Sequence, residues 1–440
     1  MSTIDITGYN EELIHQQYKK GLFTVSGNIV QQHVQKFDHR GTDIKRNILF
    51  VTSHNFFELQ HGVHTRFFEL VKYFKSTGYR VDIFSPEEYG NGWKNTQKNN
   101  PDLINRVYIH KSSMSFMQYL KNIIIIICPF LKRWKIYLWL KMQLKKIDNS
   151  MIKAIPDLVN DQLSREFRSF VNSSKYDYII ISYVHWAKLL DNEEFSNYKK
   201  IILIEDIITY NLYDAKQIKS PDEKILKEEI ARINLFDIAI CISEVEMKFL
   251  SQYPIKPTFY YIPFFMDKKK HRINQKYEYD VLFIGSNNNH NIMGINWFFS
   301  NVYPLLDEGC KILIVGLIAD HVPKKNNVKT LRFAEDLDRI YFQCKFSISP
   351  LLGGTGQKIK VVEALAYGKP VVCTTKGAIG IPGKNNGCLV TDSPEEFASI
   401  MRRLINNNYY YMKNSSSAYE CFIMNFTKDK IYERLDTIFN

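Results

Sequence analysis

The chain has 440 residues, 45% hydrophobic and 24% charged, enough for two or three globular cores and unlike a disordered or fibrous chain. Lys and Arg number 58 against 46 Asp and Glu, and the net charge of +12 points to anionic partners without choosing among nucleotides, nucleic acid and lipid head groups. Seven cysteines (Cys128, Cys241, Cys310, Cys344, Cys373, Cys388 and Cys421) stand without any Cys-x-x-Cys spacing, which argues against a zinc ribbon or a disulfide framework and fits a reducing compartment.

Residues 1–45 read as a polar appendage. Asp5, Glu11 and Glu12 and the lack of a continuous apolar stretch argue against a signal peptide, so the cytoplasm is the expected location. Asn47 to Ser53 (NILFVTS) reads as a buried strand, Thr65 to Ser76 (TRFFELVKYFKS) as a helix closing near Gly78, and YRVDIFSP as the next strand, together a βαβ unit. Further strands are RVYIH from Arg106, YDYIIIS to Ser182, KIILIE to Glu205 and DIAICIS to Ser243. Their unbroken Ile, Val and Leu runs suit parallel strands covered on both faces.

Between the third and fourth of these strands the charge is uneven. From Leu103 to Ile147 there is no Asp or Glu, while Arg106, Lys111, Lys121, Lys132, Arg133, Lys135, Lys141, Lys145 and Lys146 all fall there. The apolar run Ile123 to Leu131 is about half of a membrane-spanning length and contains Pro129, so no span is expected. Ile136, Trp139, Leu140, Leu144 and Ile147 follow at helical spacing with lysines between them. Two readings stand: an interfacial helix on an anionic membrane surface, and a core helix with a basic outer face.

A basic, polar stretch from Met266 to Tyr279 reads as a linker, after which the alternation restarts with YDVLFIGS, KILIVG, VKTLRF, KFSISPL and KPVVCTT as strands. The expected fold is α/β, two Rossmann-like doubly wound domains facing a cleft. The boundaries are an appendage at 1–45, a first domain at 46–265, a second at 266–420, and a C-terminal helix at 421–440 with packing back on the first domain as one option. Asp336-Leu337-Asp338 has the form of a metal-binding DxD, but it stands where a helix begins, where acids cap and meet the helix dipole.

The most informative stretch is PLLGGTGQKIKVVEALAYGKPVV, Pro350 to Val372. Gly353, Gly354 and Gly356 permit a tight turn close to a ligand, and the helix expected from about Gln357 turns free amides toward the cleft, a setting that attracts phosphate. Lys358 and Lys360 add charge there, and Glu363 is suited to a ribose diol. On spacing alone, a strand-to-helix loop with solvated lysines is an equal reading.

GTGQKIKVVEALAYGKPVV resembles the donor-site signature of family 4 glycosyltransferases, which have the GT-B fold, at Gly354, Thr355, Gly356, Lys358, Lys360, Glu363 and Ala364. VVCTTKGAIGI is similar to the family's following turn at Gly377, Ala378, Gly380 and Ile381; VLFIGSNNNHNIMGINWFFSNVYPLL, with Gly285 and Ser286, to the opening of its second domain; and residues 48–85, with Gly62, to its first βαβ unit. The resemblance implies retaining transfer from a nucleoside diphosphate sugar to a glycan or lipid-linked glycan of the cell surface, with no cofactor and no metal. Lys358 then stands where charge develops on the diphosphate, and the donor is held by Gly62, Gly285, Ser286, Gly353, Gly354, Thr355, Gly356, Lys358, Lys360 and Glu363.

Three departures are visible. Thr355 stands where many relatives have a first glutamate, Ser286 and Asn287 to Asn291 replace an Arg and Lys pair, and a Gly-Gly pair in the first loop is reduced to Gly62. At strand ends of the first domain, His185, Glu205, Asp206 and Tyr210 are placed to reach the acceptor or the sugar, with His185 and Asp206 taken as catalytic; a structural role for His185 beside Trp186 is an equal reading. His61 and His64 are placed on the acceptor side. A catalytically silent GT-B scaffold is the alternative function. A nucleic-acid-binding protein is the weaker one, since no helix-turn-helix, zinc finger or RNA-binding aromatic motif is present.

Overall fold

A computed structural model describes residues 46–439 apart from 59–61, 87–92, 94–96, 98–99, 111–154, 212–222, 273–275 and 384–385. The appendage, His61 and the acid-free stretch beyond His110 thus lie outside the described residues.

The first sheet is built from β1 (Asn47–Val51), β2 (Arg80–Ser85), β3 (Arg106–Ile109), β4 (Tyr178–Ser182), β5 (Lys199–Ile204), β6 (Ile238–Cys241) and β7 (Thr258–Tyr261), all parallel, in the order β3-β2-β1-β4-β5-β6-β7. Helices α1 (Gly62–Ser76), α2 (Asp161–Asn172), α3 (Glu223–Ile233) and α4 (Glu244–Leu250) flank it. The inner strands β1, β4, β5 and β6 are largely apolar on both sides because both faces are covered, whereas the edge strands β3 and β7 are only partly buried. One face packs Leu49, Ile179 and Ile202 against Leu163, Phe167 and Ile233 of α2 and α3; the other packs Phe50, Val81 and Ile180 against Phe67, Leu70 and Phe74 of α1.

The second sheet repeats the plan. Its strands β8 (Tyr279–Ile284), β9 (Ile312–Val315), β10 (Val328–Leu331), β11 (Cys344–Ser349), β12 (Val371–Cys373) and β13 (Cys388–Val390) run parallel in the order β10-β9-β8-β11-β12-β13. Around it lie α5 (Asn289–Trp297), α6 (Leu337–Gln343), α7 (Ile359–Ala366), α8 (Pro394–Asn406) and α9 (Asn408–Asn425), followed by α10 (Lys428–Phe439). In both sheets the strand order reverses beside the first strand, between β1 and β4 and between β8 and β11, which opens a crevice at the carboxyl ends of the strands.

Two elements differ from the sequence reading. The C-terminal helix expected at 421–440 is divided, since Phe426 leaves helical geometry (φ −129°, ψ 5°), and α9 ends there before α10 starts at Lys428. The donor-loop helix starts at Ile359 rather than near Gln357, with Lys358 at the capping position. Helix α10 packs on the first domain, where Ile431, Leu435, Ile438 and Phe439 join the core of α1, and Phe439 stands edge-on to Phe74 with ring centroids 4.9 Å apart.

Candidate active site

The carboxyl ends of the two sheets share one cavity of about 940 Å³, within the usual range for a small-molecule site. From the first domain it is lined by Val63, Tyr183, Glu205, Asp206, Asn211 and Ile242, which follow or cap strands and helix starts. From the second come Gly285, Ser286 and His290, the loop Gly353 to Lys360 apart from Gly356, and a wall of Leu317, Phe333, Ala334 and Leu337. Phe333 is 78% exposed, an unusual setting for a large aromatic ring and one suited to a flat ligand face.

The glycine-rich loop is fastened across the cleft. The Thr355 amide donates to Asn211 Oδ1 at 2.9 Å, and its hydroxyl lies 3.0 Å from the same atom and 3.3 Å from Asp206 Oδ1. The Gly356 amide donates to Glu246 Oε1 at 2.7 Å, and Gln357 Oε1 accepts from the Phe264 amide at 2.7 Å while its Nε2 donates to the Gly380 carbonyl. Only glycine fits at 356: φ is +71°, and a Cβ would stand 2.5 Å from the Glu205 carbonyl oxygen and 2.6 Å from Asp206 Oδ1. Lys358 folds back so that Nζ donates to the Thr355 carbonyl at 2.7 Å.

Four acids meet here in different states. Burial raises Glu205, opposed by its buried ion pair with Arg66. Asp206 is pushed up to about 6 by burial, with the Lys358 ammonium pulling the other way and Glu205 adding to the rise. Glu246, 3% exposed, is pushed up to about 8 by burial and by Asp206, although amides of Gly356 and Ile207 favour its charge. Its Oε2 has no hydrogen-bond partner among the described residues, as suits a protonated acid. Glu363 sits just behind the cavity wall, its Oε2 held by Lys360 Nζ at 2.8 Å and by the Tyr341 hydroxyl at 3.4 Å.

The cavity therefore brings together Gly285, Ser286, Gly353, Gly354, Thr355, Lys358, Lys360 and Asp206 of the residues expected from sequence. Gly356 is packed beneath them, and Gly62 starts α1 one residue before the lining Val63. His185 is not on the wall; it lies behind Tyr183, with ring centroids 6.3 Å apart, and burial, seconded by Arg232, lowers its pKa. Asp336 caps α6 by accepting from the Arg339 amide at 3.0 Å, and Asp338 pairs with Lys269 at 2.8 Å. Tyr183, Asn211, Glu246, His290 and Phe333 were not singled out by sequence. Tyr183 has φ +64°, a left-handed conformation costly for an aromatic residue and typical of functional sites.

Comparison with known proteins accords with this geometry. Residues 278–407 match the family model Glycosyl transferases group 1. A relative from Klebsiella pneumoniae, an uncharacterized 44.6 kDa protein in the cps region, is 24% identical over 335 residues, 65% of this chain and 80% of that one. Solved structures of similar fold include TarM of S. aureus (TM-score 0.64, 15% identity, covering 90% of this chain and 99% of that one). They also include Anabaena HepE in complex with UDP and glucose (0.61, 13%, 90% and 99%) and sucrose-phosphate synthase from Thermosynechococcus elongatus (0.62, 14%, 90% and 98%). Two Rossmann-like domains closing on a shared cleft are the GT-B fold. The second domain is a group 1 glycosyltransferase domain, and the protein is a glycosyltransferase.

The state of Glu246 is testable by linkage. With a pKa of about 8 in place against the ordinary 4.5, the folded protein binds more protons than the unfolded chain between those values, so stability falls as pH rises through that window. Glu246→Gln keeps an acceptor for the Gly356 and Ile207 amides without the charge. In thermal melts the variant should lose less stability than the wild type between pH 5 and 8, with Asp206 adding the same lower window, up to about 6, to both. Superimposable pH profiles would refute a buried neutral acid.

Proposed function

We propose that the cleft carries out retaining transfer, of the family 4 type, from a nucleoside diphosphate sugar to a glycan or lipid-linked glycan in cell-surface polysaccharide synthesis. The observation that carries this is the loop Gly353 to Lys358, which, apart from Gly356, lines one cavity between the two domains and brings an ammonium group to it. The cps-region relative and the UDP complexes of the HepE structures support the same direction. A diphosphate leaving from the anomeric carbon gains negative charge as the glycosidic bond breaks, and Lys358 at the start of α7 stands where that charge develops. Phe333 and its apolar neighbours offer a face for the base, and Glu363 accepts the ribose hydroxyls by giving up its contact with Lys360. Asp206 and Tyr183 face the sugar side; the Thr355 hydroxyl, already shared by Asn211 and Asp206, holds the loop in place.

Lys358→Ala should chiefly lower kcat, whereas Glu363→Ala should weaken donor binding by about 1.5 to 3 kcal/mol, the worth of a charged hydrogen bond. Steady-state kinetics over a panel of nucleotide sugars check this, and unchanged constants in both variants would remove the donor-site assignment.

With the diphosphate met by Lys358 and backbone amides, turnover should persist in chelator. Activity lost to EDTA and regained with manganese would place a metal at the diphosphate instead.

We also propose that the acid-free stretch, which beyond His110 lies outside the described residues, meets an anionic membrane surface. Near an anionic bilayer each lysine is worth about 1 kcal/mol, so wild-type protein should sediment with phosphatidylglycerol vesicles at low salt and be released by salt. Changing Lys132, Arg133, Lys135, Lys141 and Lys145 to glutamine should abolish sedimentation and leave donor-induced thermal shifts intact. A wild type that stays in the supernatant would assign the stretch to a soluble partner or to solvent.

A further inference from the structure

The turn that follows β5 is held at its start by two buried acids. The Ile208 amide donates to Glu229 Oε1 at 2.7 Å, and the Thr209 amide and hydroxyl donate to Glu229 Oε2 at 2.9 and 2.6 Å. The Ile207 amide donates to Glu246 Oε1 at 3.3 Å. Glu229, on α3, is 1% exposed, so this grip is desolvated and firm. One helical turn further on, the Asn211 amide donates to the Ile207 carbonyl at 3.0 Å, which delivers the Asn211 side chain to the cavity wall. There its carboxamide is used from both ends. Its Oδ1 receives the Thr355 amide at 2.9 Å and lies 3.0 Å from the Thr355 hydroxyl. Because a backbone amide can only donate, the oxygen is fixed toward the loop, and Nδ2 is left to donate to the Asp206 carboxyl, with which Asn211 is hydrogen-bonded. One neutral side chain thus holds the second domain's loop and the first domain's acid at once. An apolar residue would give up all of these bonds, and an acid would add a carboxylate where Glu205, Glu246, Tyr183 and Lys358 already bear on Asp206.

We propose that Asn211 is a positioning residue of sugar transfer, setting the Asp206 carboxyl and the glycine-rich loop in one register. This rests on the reading above that the cavity holds the donor, and extends it to a residue that acts through Asp206 and Thr355. The role goes beyond fastening the loop, because the Nδ2 hydrogen bond favours the ionised form of Asp206. Asn211 therefore links where the loop stands to the charge that the sugar side of the cavity presents.

The test is the pH dependence of nucleoside diphosphate release from a panel of UDP-, GDP-, ADP-, CDP- and dTDP-hexoses by wild type, Asn211→Ala and Asn211→Asp, with Thr355→Val alone and combined with Asn211→Ala. Asn211→Ala should lower kcat about tenfold or more with a smaller change in KM, and should cost less in the Thr355→Val background. Asn211→Asp keeps the shape and the acceptor for Thr355 but replaces the donor to Asp206 by a second carboxyl. The pair gives up its last proton at higher pH, so the acidic limb of the kcat profile should move up by about one pH unit. Should the alanine variant melt early, the aspartate variant carries the comparison, since a mere fastening of the loop would leave that limb in place. Unchanged kcat in Asn211→Ala, or an acidic limb that stays put in Asn211→Asp, would overturn the role of Asn211 and leave the donor reading standing. A wild type that releases diphosphate from none of the panel would bring down that reading and the role of Asn211 with it.

Discussion

The Gly356 amide and the Glu246 carboxyl, 2.7 Å apart, join the second domain's glycine-rich loop to the first domain's α4, and much of the site follows from that bond. It requires a residue without a side chain at 356, because the backbone there lies against the Glu205 carbonyl and Asp206. It also requires Glu246 to be buried, since a solvated carboxylate would compete poorly for an amide already paired with water. Thr355 and Gln357, on either side, add bonds to Asn211 and to the Phe264 amide, so three consecutive residues of the loop are positioned by the opposite domain. The loop's shape is consequently a property of the closed cleft rather than of the second domain alone.

That arrangement places Asp206 and Glu246 near a single ammonium, Lys358, in a cavity that receives anions under the proposed function. Were both acids ionised, their field would cancel and outweigh the positive charge on which an incoming diphosphate depends. Burial, which raises both carboxyls, works in the opposite sense by favouring their neutral forms and sparing the lysine. Glu205 reaches the same end by another route, with Arg66 as its buried partner. Glu246 and Glu205 thus add little free negative charge beside the loop, one by protonation and the other by pairing, while Asp206, at about 6, keeps most of its charge at neutral pH within the field of Lys358.

Much of this was legible in the sequence where chemistry is local. The β-branched runs of β1, β4, β5, β8 and β9 announce buried parallel strands, and the glycines from Gly353 to Gly356 announce a tight turn before a helix. Strands β7 and β13, with four and three residues and only partial burial, carry too little pattern to be read. Asn211 and Glu246 escaped for a different reason: each is an ordinary polar residue in its own segment and gains its role from a loop far away in the chain. Tyr183 escaped because a backbone angle leaves no mark in composition, and the misplacing of His185 has the same origin, since the turn made at Tyr183 puts the tyrosine on the wall and the histidine behind it.

The chain passes between the domains twice, and the two crossings lie side by side: Met266 donates to the Phe426 carbonyl at 3.2 Å and accepts from the Lys428 amide at 3.3 Å. The second crossing delivers α10 to the core of the first domain, which is why the interruption of the C-terminal helix at Phe426 matters. A continuous helix would carry Leu435 and Phe439 onward along the second domain and leave the face of α1 they cover exposed. Any relative rotation of the domains would bend both crossings together at this paired segment and strain the bonds at Thr355, Gly356 and Gln357. The paired chain crossings and the hydrogen bonds of the glycine-rich loop are therefore distinct parts of the contact between the domains.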